Sequence, residues 1–282
     1  MNIFVRSVTL ACVLGAALTA CGAPGTPRAA RPEPVPATAS GPPTLAPGPA
    51  GVTPVFRNAP RTGDRTVALT FDADMTADQG PRAAAGERFD NPRLVATLRR
   101  LRVPATVFMT GRWAEEYPAQ ARSIGSDPLF EVANHSYSHH AFTADCYGLP
   151  TIPGARMRAD VERAFDAFRR VGVRRVMPYF RFPGGCYDRR ALRALSAAGV
   201  TAVQWDVVSG DAFATDADAV ARDVLDGVRP GSVVVMHCTR SAAPATERAV
   251  RAVVPRLRER GYRFVRVSEL IGASHRRPTL VP

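Results

Sequence analysis

Short β-rich runs recur along most of this chain, each followed by a loop and then an amphipathic helix. No other feature limits the possible folds so strongly. Strands are expected at residues 66–71, 105–109, 129–133, 179–182, 200–205, 232–236 and 262–267. Helices are expected between them. One is opened by Asn91-Pro92, an N-cap residue followed by proline in the first turn. Others are expected at 114–123 and at 156–171, where Met157, Val161, Ala164, Phe165 and Phe168 share one face. Further helices are expected at 189–198, stopped by Gly199, at about 218–228, and at 245–260, stopped by Gly261. Strands alternating with helices in this way predict an α/β fold with about seven parallel strands, in an open sheet or a closed barrel.

That domain is expected to occupy residues 61–282. Residues 1–20 combine Arg6, an apolar run from Val8 to Leu18 and no acidic residue, the pattern of a secretory signal. Thr19-Ala20 before Cys21, with Gly22 after it, resembles the lipobox of bacterial lipoproteins, in which the cysteine is lipidated and becomes the first residue. The expectation is an exported, monomeric protein held through lipid on Cys21 at the outer face of the bacterial cell membrane. Residues 21–60 are rich in Pro and Ala, with eleven of the 25 prolines between Gly22 and Pro60. Such a segment stiffens toward polyproline II and reads as a tether.

The formal net charge is +12, or +11 once Arg6 leaves with the signal, and all 37 basic residues are arginine. They are scattered, with no basic run interleaved with aromatic residues, so a nucleic-acid partner is not expected. Attraction to an anionic cell envelope is the simpler account. Among the cysteines, Cys12 leaves with the signal and Cys21 is taken by lipid, leaving Cys146, Cys186 and Cys238. An odd number outside the cytoplasm allows at most one bridge, and Cys146 or Cys238 is expected to pair with Cys186.

Three of the five histidines lie in Asn134-His135-Ser136-Tyr137-Ser138-His139-His140. His135 and His139 are four apart, the spacing at which one helical turn offers two imidazoles to one metal ion. A third ligand and a position for water are needed as well, and carboxylates stand at Asp72 and Asp74 after the first apolar run. Asp72, Asp74, His135, His139, Arg181, Asp206, Asp211 and His237 all fall at or just beyond the C-terminal ends of expected strands. In a parallel α/β barrel those ends share the face where active sites are built. Taken singly, each has an ordinary structural reading as a cap, a surface ion pair or a satisfied polar group. Their joint placement points to a site.

The order Thr-Phe-Asp, His-Ser-x-x-His, Arg-x-Pro, Trp-Asp and a hydrophobic strand ending in histidine resembles the polysaccharide deacetylases of carbohydrate esterase family 4. The resemblance runs from about Thr66 to Leu270. It implies a distorted (β/α) barrel, a divalent metal (zinc the expected ion), and removal of N- or O-acetyl groups from an acetylated polysaccharide. By the same resemblance Asp72 would be the catalytic base, and His135 and His139 would bind the metal. Arg181 would orient the base, His237 would be the catalytic histidine, and Asp211 would support it, with Asp206 in reserve. The family commonly has two adjacent aspartates; here Ala73 intervenes and Asp74 would be the third ligand, which alternation along an extended strand allows. Gly184 stands where an aromatic commonly follows Arg-x-Pro, keeping the backbone N–H implied for that position. Ala212 stands where tryptophan is common. The groove is therefore expected to be reshaped.

Two other readings remain open at this level. One is a binding lipoprotein with a degenerate site, favoured by the two missing aromatics and opposed by the retention of every chemical group. The other is an amidohydrolase acting on a small amide or cyclic imide. A cell-envelope polysaccharide such as peptidoglycan, carrying N-acetyl groups, is the expected substrate of the first-ranked reading.

Overall fold

The computed structural model describes residues 41–61 and 63–275. The expected signal segment and the lipid site at Cys21 lie outside the described residues.

Nine strands form one sheet among the described residues: β1 (Val55–Phe56), β2 (Thr66–Ala73), β3 (Ala105–Met109), β4 (Phe130–Asn134), β5 (Val176–Phe180), β6 (Thr201–Val203), β7 (Val207–Val208), β8 (Ser232–His237) and β9 (Arg263–Phe264). Their order is β1-β6-β5-β4-β3-β2-β8-β7, with β9 added on β2, and the ladders are parallel. Helices surround the curved sheet, giving the distorted (β/α) barrel. The expected seven strands are all present. β1 and β7 were missed because two residues carry no periodicity.

β2 pairs with β3, β8 and β9 and is buried from Val67 to Ala73, as a parallel strand covered on both faces must be. Its odd residues Val67, Leu69 and Phe71 join the outer core with Leu94, Leu98 and Val250 of the helices. Ala68 faces the barrel interior with Phe108, Ala133, Tyr179, Val203 and Val233. Alternation then places Thr70 and Asp72 on the interior side, Asp72 being level with Phe108 on β3 and His237 on β8.

The barrel has a seam, because β1 and β7, the two ends of the strand order, are not paired. Residues assigned from composition to the tether cover it. Phe56 and Ala59 are buried, Asn58 bridges Ser232, and Ala59 N–H donates to Gly231 O at 2.9 Å. Gly231 has a φ of 79°, and a Cβ there would meet Ala59 O at 2.8 Å, so the close approach needs glycine. Further upstream Tyr179 Oη donates to Pro43 O, and Leu45 N donates to Thr201 Oγ1. Composition misassigned this stretch: its prolines do not prevent Val52, Phe56 and Ala59 from burying apolar surface.

The end of the chain also differs from expectation. The run at 262–267 forms only the two-residue β9 and then turns into a helix, Val267–His275, whose Leu270 and Ile271 plug the interior core. Thr106 Oγ1 accepts from Val267 N and Glu131 Oε1 from Ser268 N, so buried polar groups satisfy the helix N-terminus. The helix expected at 114–123 is two, Gly111–Glu116 and Pro118–Ser126, since Pro118 opens a new one. That expected at 189–198 ends its α-helical part at Ala194 before a short 3-10 turn, with Gly199 left-handed as expected.

Candidate active site

The C-terminal rim of the barrel brings together Asp72, Asp74, His135, His139, Arg181, Asp211 and His237. Asp72 lies near the end of β2, and its Oδ1 accepts from Arg181 Nη1 at 2.6 Å. Arg181 follows β5 directly and is wholly buried. Its Nε donates to Val203 O, its guanidinium lies 3.9 Å from the centre of the Phe108 ring, and its Nη2 has no hydrogen-bond partner. The remaining oxygen of Asp72 is 3.6 Å from His135 Nε2.

The two histidines converge, but not on a helix. Residues 135–140 form a loop in which Ser136 and His139 have left-handed φ values of 69° and 57°, and the imidazole centroids stand 5.0 Å apart. Side chains hold the loop in that shape. Asn134 Oδ1 accepts from Ser136 N, Ser136 Oγ accepts from His139 N, and Asp160 Oδ2 accepts from Tyr137 N. Asn134 and Asp160 escaped sequence reasoning; only the polar residue ending the third β-rich run could have signalled the first.

His135 Nδ1–H donates to Arg181 O at 3.0 Å, which leaves the Nε2 lone pair facing the site. Burial lowers the pKa of His135 and takes that of His139 down to about 4, against the pull of the neighbouring aspartates. Asp74 Oδ2 is 3.7 Å from His139 Nε2, while Oδ1 accepts from Thr239 Oγ1. Burial raises the Asp74 pKa, yet His139, His237 and the Thr239 hydroxyl together leave it lowered. Thr239 is another positioning residue that sequence reasoning missed. Among the described residues no group of three or more His, Cys, Asp or Glu is placed so as to hold a metal ion. By donor chemistry the set does suit a divalent cation: neutral imidazole nitrogens and an ionised carboxylate, with His135 braced by Arg181 O and Asp74 by Thr239.

His237 ends β8, and its Nδ1 is 2.7 Å from Asp211 Oδ1. Asp211 is almost wholly buried and accepts also from Ser209 Oγ, His237 N and Thr246 Oγ1. Burial alone would suppress the imidazolium, but the Asp211 carboxylate and its hydrogen bond more than offset this and raise the His237 pKa to about 9. The reserve candidate Asp206 is elsewhere. It accepts from Arg61 Nη2, Ser232 Oγ and Val233 N at the opposite end of β8, where it fastens the seam.

Cys146 and Cys186 form a disulfide and Cys238 is a buried free thiol, so the alternative pairing through Cys238 is excluded. The bridge borders the site at Gly184. That residue has a φ of 64°, and a Cβ on it would lie 2.5 Å from Cys146 Sγ. A left-handed backbone and the sulfur together require glycine there.

Parallel strands that carry these groups on one rim agree with the family whose motif order the sequence resembles, the polysaccharide deacetylases. The chain belongs to that family, whose Polysaccharide deacetylase pattern matches residues 59–203. Asp211 and His237 lie beyond the matched residues. A chitooligosaccharide deacetylase from Sinorhizobium fredii is 31% identical over 73% of this chain and 93% of its own length. A peptidoglycan-N-acetylglucosamine deacetylase from Bacillus cereus is 26% identical over 75% of this chain and 70% of its own. Among solved structures, a wild-type protein from Bacillus anthracis described as a CE4 family pseudoenzyme superposes with a TM-score of 0.63. It is 22% identical and covers 77% of this chain and 68% of its own, a likeness of fold.

Proposed function

We propose that the protein is a metal-dependent hydrolase that removes acetyl groups, N-acetyl foremost, from a cell-envelope polysaccharide such as peptidoglycan. One observation carries the reading: a buried carboxylate held by arginine and a histidine held charged by aspartate stand level on adjacent strands. Deacetylation of an amide needs a group that takes a proton from the attacking water and another that gives one to the departing amine. Asp72 is the acceptor, with one oxygen fixed by Arg181 and the other free toward His135. His237 is the donor, protonated at neutral pH and 23% exposed, so its outer nitrogen can reach the leaving nitrogen. Asp211 balances the imidazolium through the reaction. The Gly184 N–H is assigned to the developing oxyanion.

Asp74, His135 and His139 are the residues assigned to a divalent metal, which when bound would acidify a water and polarise the acyl oxygen. The names of the S. fredii and B. cereus relatives support N-acetylglucosamine polymers as the substrate class. The leader and its Thr-Ala-Cys-Gly stretch support export and lipid anchoring at Cys21.

The test is acetate release from chitooligosaccharides, peptidoglycan and an O-acetylated glycan, with and without chelator. Release that stops with chelator and with Asp72→Asn is expected. A chain that loads metal yet frees no acetate from any of these substrates would overturn the proposal.

A further inference from the structure

Two aromatic side chains stand out in solvent among the described residues: Tyr147 at 87% exposure and Phe213 at 84%. Both sit on loops that carry site groups. Phe213 lies two residues beyond Asp211, and Tyr147 directly follows Cys146, whose sulfur borders Gly184. Both also have a left-handed backbone, with φ of 51° at Tyr147 and 61° at Phe213. Seven non-glycine residues among those described have positive φ, and Ser136, His139, Tyr147 and Phe213 are four of them. Backbone strain of this kind concentrates where function over-determines it.

Tyr147 is the better defined. It tops a loop whose neck is closed by the hydrogen bonds Ala141 N to Pro150 O (2.8 Å) and Ile152 N to Ala141 O (2.9 Å). The Cys146–Cys186 bridge ties that loop to the segment following Arg181. A Cβ placed on Gly184 would lie 3.4 Å from Tyr147 Cδ2, so the ring stands beside a position with no side chain of its own. An aromatic ring 87% exposed to water, next to an assigned oxyanion donor, offers a flat face to the apolar C–H face of a pyranose ring. We propose that Tyr147, presented by the disulfide-pinned loop, is a stacking platform for a sugar of the glycan chain and a determinant of specificity for polymer over small acetylated compounds. This rests on the deacetylase reading and names a residue outside its proton-transfer groups.

The experiment measures acetate release from N-acetylglucosamine tetramer and from 4-nitrophenyl acetate, together with tetramer binding by calorimetry. Tyr147→Ala is expected to raise KM for the tetramer by about threefold to tenfold, the scale of one aromatic contact, with kcat kept and the aryl ester unaffected. Tyr147→Phe should retain the parent KM, because the ring face and not the hydroxyl makes the contact. Cys186→Ser should raise the tetramer KM as Tyr147→Ala does. Unchanged tetramer KM and affinity in Tyr147→Ala would overturn the platform, with acetate release still supporting deacetylation. Weakened tetramer binding in Tyr147→Ala, from a parent chain that frees no acetate, would sustain the platform while the deacetylase reading fell.

Discussion

Arg181 Nη1 and Asp72 Oδ1 stand 2.6 Å apart, with the guanidinium wholly buried and the carboxylate side chain 5% exposed. Two charges at this depth tolerate each other only as a pair. Arg181→Met would leave Asp72 without its counter-charge, and breaking a buried pair from one side costs about 3–5 kcal/mol. Urea unfolding should show a loss of that order, and activity should fall with it. Arg181→Lys should restore part of the stability but little activity, because it cannot also reach Val203 O with the geometry of Nε. A stability loss below about 1 kcal/mol in the methionine variant would show that Asp72 has another partner.

The His237 pKa, raised from 6.5 to about 9, predicts where activity ends on the alkaline side. A raised folded-state value means that the charged imidazole is favoured in the native protein. Its contribution to stability is fully present below pH 6.5 and is lost as pH rises toward 9. If His237 is the proton donor, acetate release should hold through neutral pH and decline with a midpoint near 9. Asp211→Asn removes the charge that sustains the imidazolium, so the midpoint should move to lower pH. An alkaline limb that stays in place in this variant would assign the proton to another group.

The two aspartates are predicted to differ. Asp72→Asn removes a proton acceptor and should lower turnover by about 10²–10⁴ while metal content is kept. Asp74→Asn weakens a charged contact braced by Thr239, so metal affinity should fall and excess zinc should recover some activity. Metal analysis of the purified variants decides between them. The structure makes this comparison sharp, since each carboxylate has one oxygen near a histidine and the other already engaged. Loss of metal from Asp72→Asn and retention by Asp74→Asn would exchange the two roles.

How much of this could be read from sequence depended on the range of the interaction. The long strands were legible because their apolar runs are continuous, and alternation along β2 puts Asp72 on its interior side, while Asp74 lies just past the strand end. The His135–His139 pair was found by its spacing but for the wrong local reason. The spacing suggests a helical turn, whereas the convergence comes from two left-handed residues and from Asp160, which lies on another element. Asp206 and Asp211 both follow a strand, and only the family resemblance ranked Asp211 first; pairing with β8 sends Asp206 to the seam and Asp211 to His237. The seam segment was hidden by its proline content, and Thr239 and Thr246 by being ordinary threonines.

The thiols should behave very differently from one another. Non-reducing mass spectrometry is expected to return one Cys146–Cys186 cross-linked peptide pair. Cys238 is buried, and burial pushes its pKa up to about 12, so it should resist alkylation until the chain unfolds. Replacing Cys146 and Cys186 together by serine should cost up to about 4 kcal/mol on the chain-entropy account of a loop this long. Rapid labelling of Cys238 in the native protein would show that the β8 end opens.

The seam over β1 also sets a timetable for folding. Val55 is made early, yet its strand partner Ala202 belongs to β6, and Val67 of β2 must wait for Ser232. Pairings between such distant parts of the chain slow folding, because loop-closure entropy is lost before contacts repay it. The first strand to emerge is therefore among the last to be secured. Until then Phe56 and the edge of β6 are available to any other unfinished chain, so this edge is where partly folded copies would associate.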